Sequence, residues 1–134
     1  MRMLDSAAQR QAWKLALDTA LQRLDALRSS GLASPDSREA LLFTLERAAW
    51  AVTELLSLEV TERRLGIPKG PSQAIELLVR DEVFAMDEGR RLRMAVESRN
   101  LSSREPSRLR WDELLATLEE DLAVLGAAGA KLAS

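Results

Sequence analysis

The sequence predicts an all-α protein: an antiparallel, up-and-down bundle of four main helices with one short extra helix, in a single domain over residues 1–134. Apolar residues recur at helical spacing in each long segment, no alternating strand pattern occurs, and glycine and proline gather at the joints between segments. With 134 residues and 46% hydrophobic content, the chain is large enough to build one core.

The first helix is read from about Asp5 to Ser29, because Trp13, Leu17, Ala20, Leu21 and Leu24 form a stripe with Lys14, Asp18, Gln22 and Asp25 between them. Ser30-Gly31 closes it. Ser34-Pro35 then supplies a cap and a first-turn proline, and the pattern continues unbroken to Leu65-Gly66. This second helix carries an inner stripe through Leu41, Leu45, Ala48, Val52 and Leu55, and another through Phe43 and Trp50. A helix apolar on more than one side is either central in its own bundle or shared between subunits, and dimerisation is the simpler account. By their spacing, Trp13, Phe43, Trp50 and Trp111 are expected to be core residues rather than platforms for stacking bases.

Gly66-Ile67-Pro68-Lys69-Gly70-Pro71 is a connector, since it lacks the glycine spacing and the lysine-serine pair of a phosphate-binding loop. A shorter helix is expected from Pro71 to about Glu82. Asp87 would cap the next helix, which runs to about Asn100 with Leu92, Ala95 and Val96 inward. Arg99 follows Leu92 by seven residues, Ala95 by four and Val96 by three, so the helical period aims it at the packed side. After a polar turn from Leu101 to Pro106, a last helix places Trp111, Leu114, Leu115, Leu118, Leu122 and Leu125 on one face. Glu113, Glu119, Glu120 and Asp121 lie on the other face, and Gly126-Ala127-Ala128-Gly129 weakens the helix before a frayed end.

Composition narrows the function classes. Without cysteine there is no disulfide framework, thiolate metal site or cysteine nucleophile, and without histidine a metal site would have to be built from carboxylates alone. The acidic clusters Asp81-Glu82, Asp87-Glu88 and Glu119-Glu120-Asp121 are mostly adjacent in sequence and point different ways around a helix, so neither metal nor cofactor is expected. The first residues lack the apolar run of a signal peptide and no segment approaches the length of a membrane span, so a cytoplasmic protein is expected.

Charge is segregated. Arg90, Arg91, Arg93, Arg99, Arg104, Arg108 and Arg110 face only Glu97 and Glu105 within residues 90–110, a local charge of +5 in a chain of net charge −2. A phosphate-bearing partner is the natural inference. The plain alternative is a solvated face whose arginines pair with Asp81, Glu82, Asp87, Glu88 or the acidic last helix. Arg99 stands apart because it interrupts an apolar stripe, where a guanidinium needs an acidic partner, carbonyls or a ligand.

Gly66-Ile67-Pro68, Ala74-Ile75-Glu76-Leu77-Leu78, Leu92 to Val96, and Glu97-Ser98-Arg99-Asn100-Leu101-Ser102-Ser103 occur in an order and spacing that resembles HEPN proteins of the nucleotidyltransferase-substrate-binding and toxin branches. The resemblance covers roughly residues 38 to 125, and Phe43-Thr44-Leu45-Glu46 with Trp50 resembles a block of that family's second helix. It implies a homodimer, a separately encoded minimal nucleotidyltransferase as partner, and a cleft along the dimer axis lined by Arg99, Asn100 and Arg104. Active members are metal-independent ribonucleases that pair an arginine with a histidine five positions later, and here that position is Arg104.

Imidazole exchanges protons near neutral pH, whereas a guanidinium with a pKa above about 12 binds phosphate but cannot act as a base. Losing positioned acid-base catalysis costs about 100- to 10,000-fold in rate, so negligible ribonuclease activity is expected. In the toxin branch a tyrosine two residues after the histidine can be adenylylated; the matching residue is Pro106 and the chain has no tyrosine. Ser102 and Ser103 are short hydroxyls of the kind that usually cap turns. The expected function is therefore a non-catalytic nucleotide- or RNA-binding partner in a toxin-antitoxin pair. A divergent HEPN ribonuclease and a dimeric helical scaffold are the rivals, with Arg90, Arg91, Arg93, Arg108 and Arg110 as peripheral basic contacts.

Overall fold

The computed structural model describes the backbone of residues 6–31, 34–104 and 111–133, and all of their side chains except those of 98–104. Among these residues the fold is all-helical, with five helices and no strand: α1 (Ser6–Ser30), α2 (Pro35–Glu62), α3 (Pro71–Arg80), α4 (Met86–Arg104) and α5 (Trp111–Leu132). No helix among them is long and apolar enough to cross a membrane.

Local chemistry sets most helix ends. Ser34 is extended and its hydroxyl accepts from the Ser37 amide at 3.1 Å, with Pro35 in the first turn, so α2 starts where a side-chain acceptor and a preset φ coincide. Arg64 and Gly66 take positive φ just beyond its end and turn the chain into the connector. The helix α3 stops at Arg80, two residues before the expected Glu82, because Glu82 itself turns to φ 62°. Asp87 lies inside the first turn of α4 rather than capping it. The cap belongs to Glu88, whose carboxylate accepts from the Ala85 amide at 2.9 Å, as in half of a capping box.

Three further expectations are corrected. The polar turn after Asn100 is helix as far as Arg104, since the first residue able to break the pattern is Pro106. The end of α5 is not frayed: Leu132 is fully buried and Gly129 lies beneath Leu17, where a Cβ would come within 2.2 Å of Leu17 Cδ2. That glycine admits close approach of α1 and α5. Leu115 also leaves the stripe assigned to it and is 42% exposed.

The core joins Leu17 and Leu24 of α1, Leu45 and Val52 of α2, Leu78 of α3, Leu92 of α4 and Leu118 and Leu125 of α5 in one cluster. Since the inner side of α2 already fills this cluster, Phe43 and Trp50 are left outside, 59% and 60% exposed. They are surface residues, contrary to the core role expected of them, while Trp13 and Trp111 are partly buried against the core.

Long-range polar contacts tie the helix ends. Arg10 near the start of α1 donates to Glu59 (3.1 Å) and Glu62 (2.7 Å) near the end of α2, and to the Leu132 carbonyl at the end of α5. Lys131 donates to the Val83 carbonyl and pairs with Glu88 at 3.1 Å, bringing the end of α5 to the start of α4. At the other ends of two of these helices, the Arg38 guanidinium of α2 lies 5.2 Å from the ring centre of Trp111, the first residue of α5.

Candidate phosphate-binding end

Helix α4 buries Leu92, Ala95 and Val96 and turns Arg90, Arg91 and Arg93 outward. Arg90 and Arg91 share a single carboxylate, Asp87, at 2.6 and 3.2 Å. The hydrogen bond from Arg90, followed by the field of Arg91, holds the Asp87 carboxyl below the ordinary aspartate range. Arg93 is exposed one turn further along. Arg90 and Arg91 keep more than half of their side chains in solvent and Arg93 is exposed, so they form a basic face rather than a buried site.

Further along α4, Glu97 accepts from the Ser72 hydroxyl at 2.7 Å, which braces the last part of α4 against the first turn of α3. Arg99, Asn100 and Arg104 follow on the same continuous helix, with Asn100 and Arg104 four positions apart, and their side chains lie outside the described residues. Ser102 and Ser103 have the same status, and Glu105, Pro106, Arg108 and Arg110 fall in the undescribed link to α5. The described part of the expected site is thus its approach: Arg90, Arg91 and Arg93 on α4, Glu97 at the brace, and Trp111 at the start of α5.

Two features of this kind were missed from the sequence. Arg38 lies against the Trp111 indole, beside the start of α5, and adds a cation at the end where the arginine-rich segment rejoins the bundle. Arg10 is the other: it is 8% exposed and held by two carboxylates and a carbonyl. Its signal was present, since Arg10 precedes Leu17 by seven residues on an apolar stripe, the same relation that singled out Arg99. A groove of about 290 Å³ also opens between α4 and α5, floored by Phe84, Leu92, Val124 and Ala128 with Arg91 and Glu120 at its rim.

The described residues form a small helical protein with a basic face on α4. Chains of solved toxin-antitoxin structures share the fold. One, from a toxin-antitoxin crystal structure with AMP-PNP, superposes with a TM-score of 0.85 at 15% identity, covering 97% of this chain and 99% of that one. A structure of the tri-AMPylated Shewanella oneidensis HEPN toxin in complex with MNT antitoxin gives 0.83 at 15% identity over 97% and 98%. A mutant of the toxin-antitoxin MntA-HpeT gives 0.82 at 14% identity over 92% and 97%. Neither a family model nor a curated protein matches the sequence. The fold shared with these toxin-antitoxin chains spans the stretch from residue 38 to 125 that carries the HEPN resemblance.

Proposed function

We propose that the protein is a non-catalytic HEPN-like partner of a separately encoded minimal nucleotidyltransferase in a toxin-antitoxin pair, binding nucleotide or RNA phosphate through an arginine-lined cleft. The observation that carries this reading is the absence of histidine from all 134 residues, with Arg104 at the position where active HEPN proteins place it. The shared fold supports the family reading, and the +5 charge of residues 90–110 supports an anionic ligand.

In this reading residues 1–134 form one domain, and the four long helices make an antiparallel up-and-down bundle. The meeting of the start of α1 with the ends of α2 and α5, and of the start of α2 with the start of α5, supports that arrangement. Arg99 and Arg104 bind phosphate, Asn100 holds the helix end or bonds across a homodimer, and Arg90, Arg91, Arg93, Arg108 and Arg110 draw the ligand in by charge. A ribonuclease would need a proton carrier near neutral pH, which neither guanidinium provides.

The test uses the full-length protein with ATP and with single-stranded and hairpin RNA. Binding that is lost when Arg99 and Arg104 are both replaced by alanine, with no RNA cleavage in metal-free buffer, is the expected result. Unchanged affinity in the double variant defeats the cleft, and cleavage abolished by the same substitutions makes the protein a divergent ribonuclease toxin instead.

A further inference from the structure

The outer face of α2 carries a pattern that is complementary to its own reversal. Phe43, Glu46, Arg47 and Trp50 all lie on its exposed side, in the order aromatic, acid, base, aromatic. The aromatics are fixed in place. Arg47 lies 5.6 Å from the Phe43 ring centre, the Trp50 indole N–H donates to Glu54 at 3.1 Å, and Trp13 backs Trp50 with ring centres 6.2 Å apart. Beside them a groove of about 570 Å³ runs between α1 and α2, walled by Ala12, Leu15, Ala16, Ala40, Phe43 and Arg47. Leu15 is 68% exposed at its edge.

We propose that this face binds a second copy of the chain through a two-fold contact in which the two α2 helices run antiparallel and cross between residues 46 and 47. Reversal about that point places Phe43 opposite the partner's Trp50 and Glu46 opposite the partner's Arg47, so both aromatic and both ionic pairs are satisfied at once. Parallel pairing would set Glu46 against Glu46 and Arg47 against Arg47. That like-charge arrangement selects the antiparallel one. The small side chains of the groove beside Phe43 leave room for the partner's indole. Glu39 and Glu54 would oppose each other about 11 Å from the crossing point, where two crossing helices have already diverged.

The register has a consequence for assembly. At 1.5 Å per residue the two copies of Arg38, which mark the end where the arginine-rich segment rejoins α5, lie about 25 Å apart along the helix direction. This contact holds the two basic ends away from each other. It is therefore separate from any cleft that two subunits would share at Arg99 and Arg104, and a protein using both contacts would assemble beyond a dimer.

Sedimentation velocity of the full chain tests the contact by charge exchange. Glu46→Arg and Arg47→Glu each place like charges across the two-fold, and each is expected to raise the self-dissociation constant at least tenfold. The double variant Glu46→Arg/Arg47→Glu exchanges the charges and is expected to restore wild-type association. Both side chains are exposed, so the circular dichroism spectrum should not change. Single variants that associate like the wild type would overturn the proposal, and so would a double variant that stays dissociated. Replacing Arg99 and Arg104 by alanine should leave this contact intact, which separates its failure from failure of the phosphate cleft.

Discussion

Two sets of arginines in this protein meet opposite fates. At one end Arg10 alone collects Glu59, Glu62 and the Leu132 carbonyl, while on α4 two arginines, Arg90 and Arg91, divide the single carboxylate of Asp87. The first is a buried clamp over three helices, whose charge is spent inside the fold. The second is a surplus of cations left in water, and only such a surplus is free to attract a ligand. The ratio of carboxylates to guanidiniums distinguishes them, not the arginine itself.

The largest expected effect comes from opening the clamp. Arg10→Met should destabilise the protein by about 3 kcal/mol in chemical denaturation, because it leaves the largely buried Glu59 without its α1 partner and the Leu132 carbonyl without a donor. Glu59 keeps Arg63 at 3.0 Å, which sets the loss near the lower end for a broken buried pair. A loss under about 1 kcal/mol would mean that the clamp is no stronger than a surface ion pair.

Next comes the packing beneath that clamp, where two glycines of α5 should respond in opposite senses. Gly129→Ala drives a Cβ to 2.2 Å from Leu17 Cδ2, and since Leu17 is fully buried and cannot swing away, overpacking should outweigh the helix-propensity gain by about 1 kcal/mol. Gly126→Ala meets only Leu21 Cδ1 at 3.5 Å, ordinary contact, and should stabilise by roughly 0.5–1 kcal/mol. Thermal unfolding of the two variants that shifted the same way would disprove the close approach of α1 and α5.

The sequence made the helices legible because their stripes and breakers are local signals. Ser34-Pro35 marks the start of α2 in the chain and in the structure. Tertiary facts were less legible. Gly126 and Gly129 read alike as helix weakeners, yet only Gly129 sits under a neighbouring leucine, and that neighbour comes from α1. Phe43 and Trp50 read as stripe residues, but a stripe does not say which side of a helix the remaining helices will cover. Of the expected site, the basic approach through Arg90, Arg91 and Arg93 was legible from charge alone; the matching isolation of Arg10 on its own stripe was overlooked because no charge run surrounds it.

Acid also tests the clamp. Glu62 is held below the ordinary glutamate value of 4.5, first by the Ser6 hydroxyl and then by Arg10, despite an opposing cost of burial. Glu88 is lowered by the Ala85 amide and then by Lys131. A carboxylate with a depressed folded pKa contributes stability that is full above its unfolded pKa and is lost as pH falls through the folded one. Stability should therefore hold near neutrality and decline as pH drops below about 4.5. Arg10→Met should shallow that decline by removing one cause of the Glu62 shift, whereas Arg93→Ala should leave it unchanged; equal acid profiles for all three proteins would refute the assignment.

The smallest effect on stability is expected at Arg93, and there the two sets of arginines differ most in what they are for. Arg93 is exposed and draws no carboxylate among the described residues, so Arg93→Ala should change unfolding free energy by less than about 0.5 kcal/mol. If the α4 cations meet phosphate, the same substitution should reduce the slope of log affinity for single-stranded RNA against log salt by about 0.7. Arg10→Met, assayed where it remains folded, should leave the slope alone. A slope that depends on Arg10 but not on Arg93 would reverse the division between spent and available charge on which the binding end is assigned.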